Sequence, residues 1–272
     1  MNTKPRLAVL QFPGLNCEYE TQRAAAFYGF DAKIFRWNDH VDELDLADAF
    51  IVPGGFSFQD RVRAGAIAAK LPVMAKLAKA DQDGKPILGI CNGCQILAEA
   101  GLFPNLSPHT TAHRLQVALA PNSQENRLIG HICDWVDVKF NNPQYSLFAQ
   151  AFEPGEILPV PISHSEGRFI LSPELLAQLD QLTTLTYTTA NPNGTTLNLA
   201  GLGNARGNVL GMMPHPERAA FLRQIPFSDR GKWGHAKKEG FATLSAATQE
   251  GPWGRLFIAM RSAVAQRVKT TC

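Results

Sequence analysis

Pro86-Ile-Leu-Gly-Ile-Cys91-Asn-Gly93-Cys94-Gln95 is an apolar run that enters a cysteine flanked by glycines and continues as a helix-like pattern through Ala100. The run reads as a buried strand, Pro86 to Ile90, and Gln95 to Ala100 lies on the helix after it. A nucleophile at a sharp strand-to-helix turn needs small neighbours, because the turn is crowded; this is the logic of the G-x-S-x-G elbow with cysteine in place of serine. The same position puts the sulfur at the positive end of a helix dipole, which stabilises negative charge. Two other readings stand beside it. Cys91 can be a structural thiol in a tight turn, and Cys91 with Cys94 forms a C-x-x-C that suits a redox pair. A zinc site is the weakest alternative, because no second C-x-x-C exists to complete it.

Working outward, the first hundred residues repeat the strand-then-helix rhythm. Leu7 to Phe12, Ala32 to Trp37 and Ala49 to Val52 read as strands; Glu18 to Tyr28, with Asn16 as its cap, and Arg61 to Ala78 read as helices. Strands alternating with helices imply right-handed βαβ units and a parallel sheet. The middle changes character. Leu115 to Ala120 and Cys133 to Phe140 look like strands with no helix between them, and Leu182 to Thr188, Asn198 to Gly203 and Asn208 to Met213 form a further group. The expectation is an α/β fold with a mostly parallel central sheet flanked by helices and an added antiparallel portion, residues 1–272 making one domain. Phe221 to Trp253, polar with scattered aromatics, reads as an insertion before a last helix, Arg255 to Val268. Its interleaved arginines and aromatics suit an interface or a cover over the site, and equally a loop packed on its own domain.

Two further segments belong with Cys91. Met213-Pro-His215-Pro-Glu217 follows a strand, and residues two apart on an extended chain share a side. Glu217 can then orient the His215 imidazole, and with Cys91 they make a nucleophile, base and orienter set. Pro53-Gly54-Gly55-Phe56-Ser57 ends the third strand; its glycines free backbone N–H groups for an oxyanion, or make an ordinary tight turn. In such sheets ligands bind at the carboxyl ends of the strands, where all three segments end.

Composition narrows the class. Hydrophobic residues are 45% and charged residues 18% of 272, which excludes a disordered or fibrous chain. With 26 Lys and Arg against 24 Asp and Glu there is no broad electrostatic footprint for nucleic acid. No apolar run approaches the roughly 20 residues of a membrane span, and Leu7 to Phe12 is too short for a signal peptide. Five cysteines suit free thiols in a reducing cytoplasm.

The chain resembles the class I (triad) glutamine amidotransferases, and among them the glutaminase subunits of phosphoribosylformylglycinamidine synthase. The resemblance rests on Phe12-Pro-Gly14 with Asn16-Cys17, Pro53-Gly-Gly-Phe-Ser57 with Arg63-Ala-Gly-Ala66, and Gly89-Ile-Cys-Asn-Gly93. It continues through His164-Ser-Glu-Gly-Arg168, Asn191-Pro-Asn-Gly194 and Gly207 to Arg218. Cys94 stands where a larger apolar residue is expected, Ser165 where glycine is usual, and the insertion is long for the family. The resemblance implies a flavodoxin-like fold and a glutaminase in which Cys91 attacks the side-chain amide of glutamine. His215 and Glu217 would serve it, with Gly54, Gly55 and Asn92 at the oxyanion and Gln95, His164 and Ser165 lining the substrate. It implies no metal or cofactor in this subunit. Ammonia would pass to a large synthetase subunit that uses ATP and Mg to make formylglycinamidine ribonucleotide in purine biosynthesis, with or without a small third subunit. A flavodoxin-like cysteine peptidase or deglycase, and a non-catalytic assembly module, are the alternatives; neither needs His215-Pro-Glu217.

Overall fold

Strands Ala49–Val52 and Ile87–Ile90 are apolar at every position and buried at every position, the mark of parallel strands covered on both faces. They sit mid-sheet in a computed structural model that describes residues 4–106, 116–153, 155–243 and 249–271. In chain order the first half comprises β1 (Arg6–Gln11), α1 (Glu18–Phe27), β2 (Asp31–Arg36), β3 (Ala49–Val52), α2 (Val73–Gln82), β4 (Ile87–Ile90) and α3 (Asn92–Glu99). The second half begins with β5 (Val117–Ala120), β6 (Ser123–Gln124), β7 (Arg127–Leu128), β8 (Ile132–Asn141), β9 (Ile157–His164), β10 (Arg168–Leu171) and α4 (Pro173–Leu176). It ends with β11 (Thr184–Tyr187), β12 (Leu199–Gly203), β13 (Val209–Met212), α5 (Lys232–Ala242) and α6 (Gly254–Thr271).

Nine strands form one sheet in the order β2-β1-β3-β4-β13-β12-β11-β8-β9. β2 through β13 run parallel; from β12 onward each neighbour is antiparallel. Two small antiparallel pairs, β5 with β10 and β6 with β7, lie outside it. The expected mixed sheet with an antiparallel addition is the observed architecture. The turns after β1, β3, β4 and β13 therefore leave the sheet at one end. The antiparallel half bends back to that end: β9 is four strands from β13, yet the Pro161 carbonyl accepts from the His215 amide at 2.9 Å.

Proline explains two departures from the expected elements. Arg61 to Ala78 is not one helix: Leu71, held extended at ψ 152° before Pro72, separates a short turn at Ala68–Lys70 from α2. Strand β9 carries Pro159 and Pro161, which suppress any strand signal, and it tolerates them because it is an edge strand paired only with β8. Asn16 is not the cap of α1; Cys17 holds that position, and its thiol donates to Asn16 Oδ1. Leu115 lies outside the described residues. The segment from Phe221 to Trp253 is anchored at both ends: Phe221, Leu222, Ile225 and Trp253 are buried, and Trp253 packs against Phe140 and Phe152. No helix among the described residues is long and apolar enough to cross a membrane.

Candidate active site

Strand β4 delivers Cys91 to the sheet end in a strained conformation, φ 51° and ψ −108°, and α3 starts at the next residue. The turn is possible because Gly93 has no side chain: a Cβ there would lie 1.8 Å from the Val52 carbonyl oxygen. The thiol is 5% exposed and donates to the Ser163 carbonyl at 3.5 Å, so the end of β9 walls the nucleophile. The first helical bond of α3 runs from Gln95 N to Cys91 O, which leaves the Asn92 amide among the unpaired N–H groups of a helix start.

Strand β13 leads through Met213 and Pro214 to His215, 2% exposed, whose Nδ1 donates to Glu217 Oε1 at 2.6 Å. The pair does not meet across an extended strand, as the two-residue spacing suggests; Pro216–Arg218 is a tight helical turn that folds the carboxylate back on the ring. Burial opposes a charge on His215, but the Glu217 carboxylate and the Cys91 sulfur outweigh it and hold the imidazole well above its usual range. Its Nε2 is buried without a hydrogen-bond partner, and the Cys91 and Cys17 thiols flank the ring. Gly54 abuts all three: a Cβ on it would lie 2.8 Å from His215 Cε1, 3.2 Å from Cys17 Sγ and 3.3 Å from Cys91 Cβ. Three segments far apart in sequence thus converge on one point.

The other predicted residues surround that point. Leu15 and Gly55 bridge, but the bridge uses the Gly54 carbonyl and the Phe56 amide, so the Gly55 N–H takes no part in it. Gly55 adopts φ 142°, where its missing side chain also lets Leu15 approach. The Asn92 side chain ties the walls together, accepting from Ser57 N and donating to Asp60 Oδ1 and Gln95 Oε1; Gln95 Nε2 in turn donates to the Glu166 carbonyl at 2.7 Å. His164 is 3% exposed; burial, with His215 and His131 nearby, drives its pKa down to about 3, so it is neutral. The Asn122 amide holds it: Oδ1 lies 3.2 Å from His164 Nδ1, Nδ2 donates to the His164 carbonyl, and Asn122 N donates to the Ser165 carbonyl.

Sequence reasoning missed Cys17 and Asn122. Cys17 belongs to the turn after β1, and its sulfur accepts from Arg218 Nη2 at 3.1 Å while Arg218 Nε pairs with Glu20 at 2.6 Å. The Cys17, His215 and Glu217 donor atoms lie within 4.8 Å of one another. Because His215 and Glu217 are already bonded and a guanidinium faces the sulfur, the group is a hydrogen-bond network rather than a cation site. Cys94 is fully buried beneath β13, where a Cβ on Gly211 would meet its sulfur at 3.0 Å, and all four described cysteines are free thiols. A buried thiol beside a carboxylate-oriented imidazole, with amides from two strand ends close by, is equipped for nucleophilic attack on a carbonyl.

The chain is similar to known proteins along most of its length. The model of the CobB/CobQ-like glutamine amidotransferase domain matches residues 4–262. The phosphoribosylformylglycinamidine synthase subunit PurQ of Methanothrix thermoacetophila is 44% identical over 239 residues, which cover 81% of this chain and 89% of that protein. A chain of the PurLQS structure from Thermotoga maritima superposes with TM-score 0.69 at 35% identity, covering 89% of this chain and 99% of that one. A glutamine amidotransferase from the same bacterium, 15% identical with TM-score 0.51, covers 98% of this chain and 100% of its own and shares the fold.

Proposed function

The chain belongs to the CobB/CobQ-like glutamine amidotransferase family, and from that premise we propose that it is the glutaminase subunit of phosphoribosylformylglycinamidine synthase. It hydrolyses glutamine to glutamate and ammonia. The ammonia goes to a PurL-type synthetase subunit, the partner that the PurLQS assembly of its relative supports. Neither alternative class fits relatives that share the name PurQ along most of the chain.

The observation that carries the mechanism is the His215 ring set between Glu217 at 2.6 Å and the Cys91 thiol at the mouth of two parallel strands. The Cys91 proton passes to His215 Nε2, whose hold on it the Glu217 carboxylate and the sulfur strengthen, and the thiolate attacks the glutamine side-chain carbonyl. The oxyanion is held by the Gly55 and Asn92 amides, with Gly54 shaping the hole. Collapse expels ammonia, protonated by His215, and leaves a γ-glutamyl thioester; His215 then takes a proton from water, and hydroxide attack releases glutamate. Glu217 keeps the imidazole in the tautomer whose Nε2 faces the thiol and stabilises its positive charge. Gln95, His164 and Ser165 form the substrate-facing wall. No cofactor is needed for these steps; ATP and Mg serve the synthetase subunit, and a PurS-type third subunit completes the complex. A biosynthetic role of this kind suits the cytoplasm.

Cys91→Ala tests the reading. The complex with the synthetase should lose glutamine-dependent synthesis, while synthesis from added ammonium salt persists. Glutaminase activity retained by this variant would remove Cys91 from the mechanism.

A further inference from the structure

Asp60 stands beside the nucleophile without a role in the steps above. It lies on the turn that follows Gly54 and Gly55, and its Oδ1 accepts from Asn92 Nδ2 at 3.1 Å, one residue from Cys91. Glu166 joins the same chain of bonds, since its backbone carbonyl accepts from Gln95 Nε2 at 2.7 Å, and after burial its negative charge is what most disfavours a charge on Asp60. Asp60 Oδ2 and both Glu166 side-chain oxygens make no hydrogen bond or ion pair among the described residues. Arg61 and Arg63 on the same loop are turned away, to Gln59 and to Glu99. Ser57, three residues before Asp60, is 2% exposed and its Oγ has no partner, so a second polar group on the same turn is buried and unmatched. A half-buried carboxylate under the field of a second one, with no cation bonded to it among the described residues, is costly unless a cation arrives with the ligand.

Glutamine brings one. Once its side-chain amide is at Cys91, its α-carbon lies three bonds away from the reacting carbonyl, and its α-ammonium is the only positive charge it carries. Helix α3 places Gln95 one turn after Cys91, and Gln95, Asn92 and Asp60 form one bonded chain through the residue next to Cys91. We propose that Asp60, with the charge of Glu166 near it, receives the α-ammonium of glutamine and so selects a free amino acid over other primary amides. The inference rests on the glutaminase reading and names its specificity residue. Burial and Glu166 lift the Asp60 pKa to about 6, so the pocket carries less negative charge when empty and gains it when an ammonium binds.

The test compares glutamine with glutaramate, the same amide without the amino group, as substrates of the complex with the synthetase. Asp60→Asn keeps an acceptor for Asn92 but loses the charge. It should lower kcat/KM for glutamine about tenfold to a hundredfold, the worth of one charge-assisted hydrogen bond, and leave glutaramate nearly unchanged, so the preference collapses. A purely structural role for Asp60 would depress both substrates alike. In the unaltered protein the preference should shrink as pH falls through about 6, and this holds whether or not the variant folds. A preference that survives both Asp60→Asn and acid overturns the inference while glutaminase activity stands. Absence of glutamine hydrolysis by the unaltered complex would overturn the proposed function, and the inference with it.

Discussion

Cys91 pays for its position with φ 51°, a left-handed value that is uncommon for any residue but glycine and persists only where the surroundings over-determine it. What determines it is legible in the sequence, because Gly93 must be small for Val52 to approach, and the glycine-flanked cysteine states that locally. His215 and Glu217 were also legible, two residues apart, although the turn that joins them is not the extended chain their spacing suggested. Asp60, Asn122 and Cys17 were not legible as site residues. Their role arises only when four strand ends are brought together, and no local pattern marks an aspartate in a loop or a cysteine before a helix. The Glu217 carboxylate is fully buried and its Oε2 has no partner, so its Oε1 bond to His215 is its main anchorage, with Arg218 Nε 3.8 Å away. Glu217→Gln should leave the fold intact and cut kcat for glutamine about 100- to 10,000-fold, because the amide can present an N–H where Nδ1 needs an acceptor. A kcat within tenfold of the unaltered enzyme, from steady-state glutamate release, would show that His215 needs no orienting carboxylate.

At the scale of elements, the parallel half was readable because its strands are short, wholly apolar runs punctuated by glycine and proline. β9 was not, since Pro159 and Pro161 interrupt it, and only its place at the sheet edge makes them acceptable. The insertion shows the same limit. Its composition fits an interface as well as a packed loop, yet its first turn is core: Ile225 is fully buried, and Lys237 of α5 donates to the Arg223 and Ile225 carbonyls beneath the Phe227 ring. Phe227 and Phe241, by contrast, meet edge to face at 5.0 Å with about half of each ring exposed. Among its described residues the segment is thus rooted in the domain and exposes two aromatic rings at its outer face, which divides the two readings between its ends. Ile225→Ala should cost about 2–5 kcal/mol of unfolding free energy, the usual cost of a buried large-to-small change. Chemical denaturation would measure it, and a loss below about 0.5 kcal/mol would mean that the segment is not part of the core.

Three buried titratable groups, His164, His215 and Glu217, lie at the site end of the sheet, and the pH dependence of stability should carry their mark. His164 is neutral in the native state because burial pulls its pKa down to about 3, whereas in the unfolded chain it titrates near 6.5. Between those values the unfolded state binds the extra proton, so stability is fully present above about pH 6.5 and is lost as pH falls. His215 does not act in this window, since its native pKa lies above the ordinary value and its effect falls at higher pH. Asp60, raised to about 6, opposes the trend between roughly pH 4 and 6, but it is half exposed and screened. Glu156 has its pKa lowered to about 2, because the Arg255 and Lys232 hydrogen bonds overcome its burial, and it adds its loss only below about pH 4.5. Burial also raises the Asp81 and Asp137 carboxyls, which oppose the loss as pH falls, so the His164 contribution between pH 6.5 and 4.5, with a ceiling of about 3 kcal/mol for two pH units, is isolated by comparing variants. Urea midpoints at these two pH values should separate clearly in the unaltered chain and converge in His164→Asn, which keeps a polar group beside Asn122 but cannot titrate. Equal separation in both proteins would mean that the acid sensitivity resides elsewhere and that His164 is reached by solvent before the fold opens.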